Sequence, residues 1–305
     1  MPELPEVEYT ARQLRATVVG ATIREACVFW ERSIQRPALP DFRAEVVGRQ
    51  IESVRRRGKL LLLDLHGGLF LSIHRRMTGN FLLLPPGWTI DTSLREQDIE
   101  RWNTLGPTFH LNTTVGADHS HKMCHCRVCF VFEDGRCLLF TDPRKFGRIE
   151  LWPRSQEEEA FAGLGPEPLS KMFTLEGFGA VLASKKTAIK QVLLDQEVVA
   201  GIGNIYADEA LFYACIHPSR RASSLNPQEL HLLHEGIVNV LALGIKHGGT
   251  SFSNYRDLWG EAGANFSHMR VYHQEGKPCQ RCGSAIERMV IAQRSSHYCP
   301  TCQRL

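Results

Sequence analysis

Four cysteines near the C-terminus set the tightest limit on what this chain can fold into. Cys279, Cys282, Cys299 and Cys302 form two C-x2-C pairs separated by 16 residues, a spacing that lets two knuckles present four thiolates tetrahedrally to one Zn2+. So short a segment has little core of its own and is expected to need the metal in order to fold. Between the knuckles, Ile286 to Val290 and His297-Tyr298 read as two short strands, with Gln293 to Ser296 as the turn joining them. Arg294 is therefore expected at the tip of a zinc-stapled hairpin. Most of the other six of the ten cysteines fall in apolar strands or in one cluster, so reduced thiols are expected rather than disulfides.

The opposite end carries the chemistry. In Met1-Pro2-Glu3-Leu4-Pro5-Glu6, removal of Met1, the usual processing before a small residue, leaves a secondary amine beside two carboxylates at the start of a helix. A proline amine condenses with an aldehyde carbon to give an iminium, which is cationic without a proton and withdraws electrons from the neighbouring carbon. An α-amine has a reference pKa of roughly 7.7–8.0, so a useful fraction is neutral near pH 7. Leu4, Val7, Ala11, Leu14 and Val18 recur at helical spacing. The positive end of that helix favours the neutral amine, whereas Glu3 and Glu6 favour the ammonium. The same residues also suit an ordinary amphipathic helix with an acidic first turn.

Between the two ends the hydrophobic period changes once. Residues 21 to about 152 read as short strands, Thr22–Phe29, Gln50–Arg57, Lys59–Leu65, Leu69–His74, Phe81–Leu84, Cys126–Phe132, Cys137–Phe140 and Arg148–Leu151, with turns at His66-Gly67-Gly68 and Glu133-Asp134-Gly135. That is the pattern of an antiparallel β-sandwich behind an N-terminal helix. Pro153 to Gly165 reads as a polar linker. From Leu175 the period is 3.6, and Asn226-Pro227-Gln228-Glu229 supplies a cap, a first-turn proline and a capping-box glutamate for a long helix ending near Gly248-Gly249. No apolar run approaches the roughly 20 residues of a membrane span, and no leader precedes the helix, so a cytosolic protein is expected. A net charge of +3 does not announce nucleic acid. Its distribution is more telling, with clusters at Arg55-Arg56-Arg57, His74-Arg75-Arg76, Arg144-Lys145 with Arg148, Lys185-Lys186 with Lys190, and Arg281, Arg288, Arg294 and Arg304. On one face such clusters would track a phosphate backbone. Gly201-Ile202-Gly203-Asn204 turns into a helix whose amides, with the Asn204 side chain, are expected to hold a phosphate.

The motifs Met1 to Glu8, Arg57-Gly58-Lys59, His74 with Met77-Thr78-Gly79, Thr141 to Gly147, Lys186 to Lys190, Gly201 to Ala207 and the four-cysteine ribbon together resemble the formamidopyrimidine-DNA glycosylase family. That resemblance spans nearly the whole chain. It implies an α+β multidomain fold: a catalytic N-terminal helix and β-sandwich over 1–153, a linker over 154–174, a helix-two-turn-helix DNA-binding domain over 175–270, and a zinc hairpin over 271–305. It implies a monomer acting on damaged double-stranded DNA, with one structural Zn2+ and no redox or nucleotide cofactor. Pro2 would attack C1′ of the damaged nucleoside, Glu3 would serve as general acid and base, and Lys59 and Arg294 would grip the lesion nucleotide and its phosphate. Met77, Arg144 and Phe146 would fill the hole left by an extruded base, with Lys186, Asn204 and Arg294 also on DNA.

Two departures from the family pattern stand out. Residues 87–122 are longer than the usual connection and run into Cys124, Cys126 and Cys129, whose spacing offers a weak second metal site. Arg75 and Arg76 add charge before Met77, where extra cations would bear on DNA. Residues Thr250 to Arg270 occupy the place of the family's lesion-sensing loop. Two other readings stay open: an oxidised-pyrimidine glycosylase of endonuclease VIII type, whose members usually carry Gly where this chain has Leu4, and a damaged-DNA-binding zinc protein without catalysis.

Overall fold

The structure is a computed structural model that describes residues 2–90, 108–111, 120–122, 125–252 and 254–305, with only the backbone described for 88–90, 108–111 and 120–122. The helix Leu4–Thr17 forms as its sequence period requires. Its Leu4, Val7, Ala11 and Leu14 are buried, and it packs on the strand Ile51–Arg57. Behind it stand two sheets. One runs Ile23–Val28, Cys126–Phe132, Cys137–Thr141 and Asn80–Leu84, antiparallel throughout. The other runs Ile34–Arg36, Arg148–Pro153, Leu69–His74, Leu60–Leu65 and Ile51–Arg57. Its first pair is parallel and the rest antiparallel. Val54, Leu61, Leu63, Leu71 and Ile73 from one sheet meet Phe81, Val128, Phe130, Phe132, Leu138 and Phe140 from the other in a single core.

The sandwich matches the expected strands to within a residue or two and adds elements that were not expected. Ile34–Arg36 and the helix Leu39–Val46 lie between the first two expected strands. Part of the unassigned 87–122 insertion forms a separate three-stranded antiparallel sheet, Trp88–Ile90, Thr108–Leu111 and Ser120–Lys122. Cys124 lies outside the described residues. Cys126 and Cys129 are fully buried in an apolar cluster with Cys27 and Cys137, and burial pushes the Cys126 thiol up. Among the described residues, the four C-terminal cysteines are the one group of potential ligands drawn together.

The polar linker is a strap rather than a spacer. It starts with a turn of 3-10 helix at Arg154–Gln156 and the short helix Glu157–Ala160. Glu157 pairs with Arg55 at 2.8 Å. Glu167 takes Arg56 at 2.6 Å, Arg57 at 3.1 Å and the Gly58 amide. Beyond it come the helices Leu175–Ser184, Ile189–Leu194, Asn204–Tyr213 and Pro227–Lys246. The last opens with the expected Asn226–Glu229 capping box. The hairpin strands are Glu287–Ile291 and Arg294–Tyr298. Its turn is the pair Ala292-Gln293, both at positive φ (46° and 60°) as a tight two-residue hairpin turn requires. Arg294 thus opens the second strand instead of lying within the turn.

Candidate active site and nucleic-acid interface

The two halves of the molecule meet at Glu3. The side chain of this N-cap residue reaches the start of the helix Asn204–Tyr213, where its carboxylate accepts from the amides of Gly203 (2.8 Å), Ile205 (3.0 Å) and Tyr206 (3.3 Å). Those are the orphan donors of a helix N-terminus, which favours negative charge. Three amides of the turn expected to hold a phosphate are thus taken by the protein's own carboxylate. Glycine is required at 203 because a Cβ there would stand 2.5 Å from Glu3 Oε1. The Leu4 amide donates to Gly201 O at 3.0 Å, and a Cβ on Gly201, at φ 91°, would strike Leu4. Pro2, next to this knot, is buried.

Glu6 lies one turn along and is also buried. Its Oε2 accepts from the Glu3 amide at 2.7 Å, and its Oε1 from Tyr206 Oη and the Thr250 amide, each at 2.7 Å. Burial, and then the neighbouring Glu3, raise its pKa to about 7, outweighing the opposing effect of these hydrogen bonds. Lys59, buried after Gly58 at φ 54°, sends its ammonium to Ile202 O at 2.7 Å. Burial lowers its pKa, Arg294 adds to this, and Glu3 and Glu6 work against it. Arg294 is brought to the site by its neighbour Ser295. The Ser295 carbonyl accepts from Lys190 Nζ (2.7 Å) and Asn204 Nδ2 (2.9 Å). Lys190 is fully buried and paired with Asp208 at 2.5 Å.

Arg294 also borders a basic, apolar-edged cavity of about 450 Å3. Five cations, Arg32, Arg76, Lys145, Arg148 and Arg294, line it without a carboxylate, together with Met77 and Phe146. Met77 and Phe146 are 39% and 50% exposed, so they are not core residues. The Arg144 guanidinium lies 3.0 Å from Met77 Sδ and 4.8 Å from the Phe146 ring centroid. Asp142 shapes the turn carrying them by accepting from Thr78 Oγ1 and from the Arg144 and Gly147 amides. His74, desolvated and beside Arg76, Lys59 and Arg148, has its pKa lowered to about 3. Its Nδ1 accepts from the Arg76 amide at 2.9 Å, so the neutral ring keeps an Nε2–H donor. At the hairpin, the four Sγ atoms lie within 4.8 Å of one another, with Cys279–Cys302 at 3.9 Å and Cys282–Cys299 at 3.4 Å. Tetrahedral Zn–S bonds of about 2.3 Å place sulfurs about 3.8 Å apart, so the four thiolates fit one Zn2+.

Comparison with known proteins agrees with this geometry. The formamidopyrimidine-DNA glycosylase N-terminal domain matches residues 1–149, its H2TH domain residues 164–256, and a zinc finger found in FPG and IleRS residues 276–305. The formamidopyrimidine-DNA glycosylase of Roseiflexus sp. is 40% identical over 305 residues, covering all of both chains. That of Enterococcus faecalis is 40% identical over 307, covering 100% of this chain and 98% of its own. The chain belongs to the formamidopyrimidine-DNA glycosylase family. Among solved structures, a Lactococcus lactis FPG mutant in complex with Fapy-dG-containing DNA superposes with a TM-score of 0.84 at 32% identity, covering all of both chains. Lactococcus lactis Fpg with abasic-site DNA gives 0.83 at 31%, over 99% of this chain and 100% of that one.

Within this glycosylase scaffold, several basic residues singled out in the sequence are engaged by partners inside the protein. Arg55, Arg56 and Arg57 are spent on Asp64, Glu157, Glu8 and Glu167. Arg75 is buried, donating to Gly79 O, Thr10 Oγ1 and Asn80 Oδ1. Arg281 caps the Asn204–Tyr213 helix through Phe212 O and Tyr213 O. Asn204 gives an amide hydrogen to the hairpin. Lys186 is exposed, and its neighbours Lys185 and Thr187 line a cavity of about 500 Å3 with Ala292 and Arg294, which sets this turn beside the hairpin tip. Tyr206, Thr250, Lys190 and Asp208 are the site residues sequence reasoning missed. Lys190 lies in the Lys186 to Lys190 motif, Tyr206 in the Gly201 to Ala207 motif, and Thr250 opens the Thr250 to Arg270 segment; Asp208 offered no signal, since it acts by tertiary contact.

Proposed function

We propose that the protein is a bifunctional DNA glycosylase and abasic-site lyase. It excises oxidised purines such as 8-oxoguanine and formamidopyrimidines from duplex DNA in base excision repair. It acts as a monomer, in a reducing cytoplasm on nucleoid DNA. The observation that carries the reading is the capture of Glu3 by the Gly203, Ile205 and Tyr206 amides. The helix terminus of the second half thereby holds the Glu3 carboxylate of the first half next to Pro2 in sequence, with Lys59 and Glu6 also buried.

The chemistry follows from those positions. Once Met1 is removed, the Pro2 nitrogen bonds to C1′ as the C1′–base bond breaks. The base leaves with the bonding electrons and takes a proton from solvent, Glu3 accepts the proton of the attacking amine and passes it to O4′ as the C1′–O4′ bond breaks, and the open sugar is left as an iminium. The iminium acidifies the C2′ proton, which Glu3 removes as general base. Expulsion of the 3′-phosphate is the β-elimination, and a second proton loss expels the 5′-phosphate. Water then hydrolyses the product from Pro2. Glu6, titrating near pH 7, tunes the nucleophile: its protonated form removes one negative charge from beside the amine and raises the neutral fraction. Met77, Phe146 and Arg144 form a preassembled wedge for the vacated stack. Arg294 grips the phosphate from a hairpin whose shape depends on Zn2+, which serves structure alone.

Borohydride trapping on a duplex with 8-oxoguanine opposite cytosine tests the reading, using metal-replete protein whose N-terminus is verified as Pro2. An adduct mapping to Pro2 is expected. An adduct only on an abasic-site duplex moves the substrate to oxidised pyrimidines. No adduct on either leaves a DNA-binding protein without catalysis.

A further inference from the structure

The helix Asn204–Tyr213 holds Glu3 at its N-terminus and ends about 12 Å further along its axis, at Phe212 and Tyr213. There the two aromatic residues wall a cavity of about 740 Å3 that shares no lining residue with the basic cavity at Arg294. Its other walls are one face of the helix Pro227–Lys246, the 268–270 segment and the zinc knuckle at Gln280-Arg281. On the long helix Asn239, Val240, Leu243 and Lys246 fall on that one face, a stripe about 10 Å long. The floor is apolar. Phe212 and Met269 are buried and Val240 is half-buried, whereas Leu243 stands 38% exposed, an apolar side chain that the fold does not cover.

The charges around this floor are unequal. Three cations, Lys246, Arg270 and Arg281, line the cavity against one carboxylate, Glu209. Glu209 is already engaged: it is buried and accepts from the amides of Arg270 (2.9 Å), Val271 (3.0 Å) and Tyr272 (2.8 Å). Arg281 is engaged too, donating to Phe212 O at 2.6 Å and Tyr213 O at 3.1 Å, with its guanidinium 4.3 Å from the Phe212 ring centroid. Lys246 and Arg270 differ. Both are exposed, and neither side chain has a hydrogen bond or ion pair among the described residues. At the opposite end of the stripe, Tyr213 Oη and Asn239 Nδ2 both donate to Glu235. The groove thus runs from an acid-bearing end at Asn239 to a cationic end at Lys246 and Arg270.

We propose that this groove docks an acidic peptide segment of a partner protein, with an apolar side chain over Phe212, Leu243 and Met269 and carboxylates on Lys246 and Arg270. The dimensions suit such an occupant. Ligand cavities hold about 300–1,000 Å3, and a stripe of about 10 Å spans about three extended residues at about 3.3 Å each. A phosphate backbone would meet the cations but gain nothing from the apolar floor. The groove also lies at the opposite end of the Asn204–Tyr213 helix from Glu3, so peptide and duplex are held at once. Arg281, between Cys279 and Cys282, makes one wall, which ties the groove to the zinc hairpin. The inference goes beyond the repair reading and is independent of which lesion is excised.

The test is fluorescence anisotropy of the labelled peptide Glu-Asp-Leu-Phe-Glu-Asp on zinc-replete protein. Saturable binding with a Kd of about 100 μM or tighter is expected. The neutral peptide Gln-Asn-Leu-Phe-Gln-Asn and the apolar-free peptide Glu-Asp-Ser-Ser-Glu-Asp should each bind about tenfold or more weakly. Lys246→Glu and Leu243→Asp should weaken the acidic peptide about tenfold or more, and Lys246→Arg should stay within about twofold of wild type. All three variants should bind an abasic-site duplex within about twofold of wild type, and saturating duplex should leave peptide affinity within about twofold. No binding at about 1 mM peptide overturns the proposal. So does equal affinity for the neutral peptide, or unchanged affinity in Lys246→Glu and Leu243→Asp. Displacement of the peptide by duplex would put it on the phosphate track and overturn the proposal as well. Displacement by 4-phenylbutyrate at equal concentration would make the groove a small-molecule site and overturn the peptide assignment.

Discussion

Gly203→Ala isolates the contact that joins the two halves. At φ −132° and ψ −158° the Gly203 backbone is extended, a conformation alanine adopts freely, so backbone strain plays no part. The new Cβ would stand 2.5 Å from Glu3 Oε1 and 2.7 Å from its Cγ, closer still to Cδ, and all three of its nearest atoms belong to Glu3. The carboxylate must therefore leave the helix terminus. It gives up two good charge-assisted bonds, from Gly203 and Ile205, and a longer one from Tyr206 at 3.3 Å. At about 1.5–3 kcal/mol for each of the first two, the loss is about 3–6 kcal/mol, a large share of a typical stability of about 5–15 kcal/mol. Displacing a general acid–base group costs about 10^2–10^4 in rate. Urea unfolding at pH 7 reads the first quantity, and single-turnover excision the second. On a Glu3→Ala background the clashing atoms are gone, so Gly203→Ala should cost less than about 1 kcal/mol there, a strong coupling between the two positions. An equal cost on both backgrounds, or wild-type stability and rate in the single variant, would refute the reasoning.

Other perturbations have defined outcomes. Glu6 has a folded-state pKa of about 7 against an ordinary 4.5, so the folded protein holds a proton that the unfolded chain releases. The stabilisation is complete below pH 4.5, is lost as pH rises through 7, and amounts to about 3 kcal/mol. The urea midpoint should fall from pH 5 to 8, and Glu6→Gln should flatten that slope. Arg294→Ala should lower the salt dependence of duplex binding by about one phosphate contact. Arg75→Met should lower thermal stability and leave the salt slope unchanged, because its guanidinium is consumed inside the protein; a reduced slope would put Arg75 on DNA after all. Chelation of zinc, followed by metal analysis and DNA binding, should abolish tight duplex binding while the sandwich core keeps its circular-dichroism signal. Binding retained at zero zinc would show that the hairpin is not needed.

What the sequence made legible was whatever depends on neighbours along the chain. The Leu4 to Val18 stripe, the Asn226–Glu229 capping box and the paired cysteines all announce themselves by spacing, and each is where the spacing puts it. Ile34–Arg36 and Leu39–Val46 escaped because a three-residue strand and an eight-residue helix opening on Leu39-Pro40 are too short to show a period. The basic clusters misled for a different reason. Charge identifies a residue that needs a partner without saying which: Arg57 finds Glu167 and Arg55 finds Glu157, each about a hundred positions away, and DNA would have satisfied the same guanidinium groups. Arg75 and Arg76 are adjacent and alike in sequence, yet Arg75 is sealed under Thr10 and Asn80 while Arg76 lines the basic cavity. The Gly-Ile-Gly-Asn turn reads as a phosphate site, and the sequence offers no sign that three of its amides are taken by Glu3.

That capture of Glu3 explains why the site is divided between the halves. A phosphate at the Asn204–Tyr213 terminus would link the second half to DNA alone. Glu3 there links it to the chain that carries the nucleophile. Lys59 repeats the device by donating to Ile202 O from the first half, and Glu6 repeats it in reverse by accepting from Tyr206 and Thr250. Glu3, Lys59 and Glu6, all buried in the first half, each find a partner on the second, so a relative shift of an ångström leaves several buried polar groups unsatisfied together. The ion pairs of Arg55, Arg56 and Arg57 with the strap resist such a shift from the outer side. Lys190 and Asn204 pass the same alignment on to Arg294 through Ser295 O. On the proposed mechanism, Pro2 as nucleophile, Glu3 as carboxylate and Arg294 as phosphate grip are therefore in register only when the two halves are in register, and the joint between the halves is what assembles the chemistry.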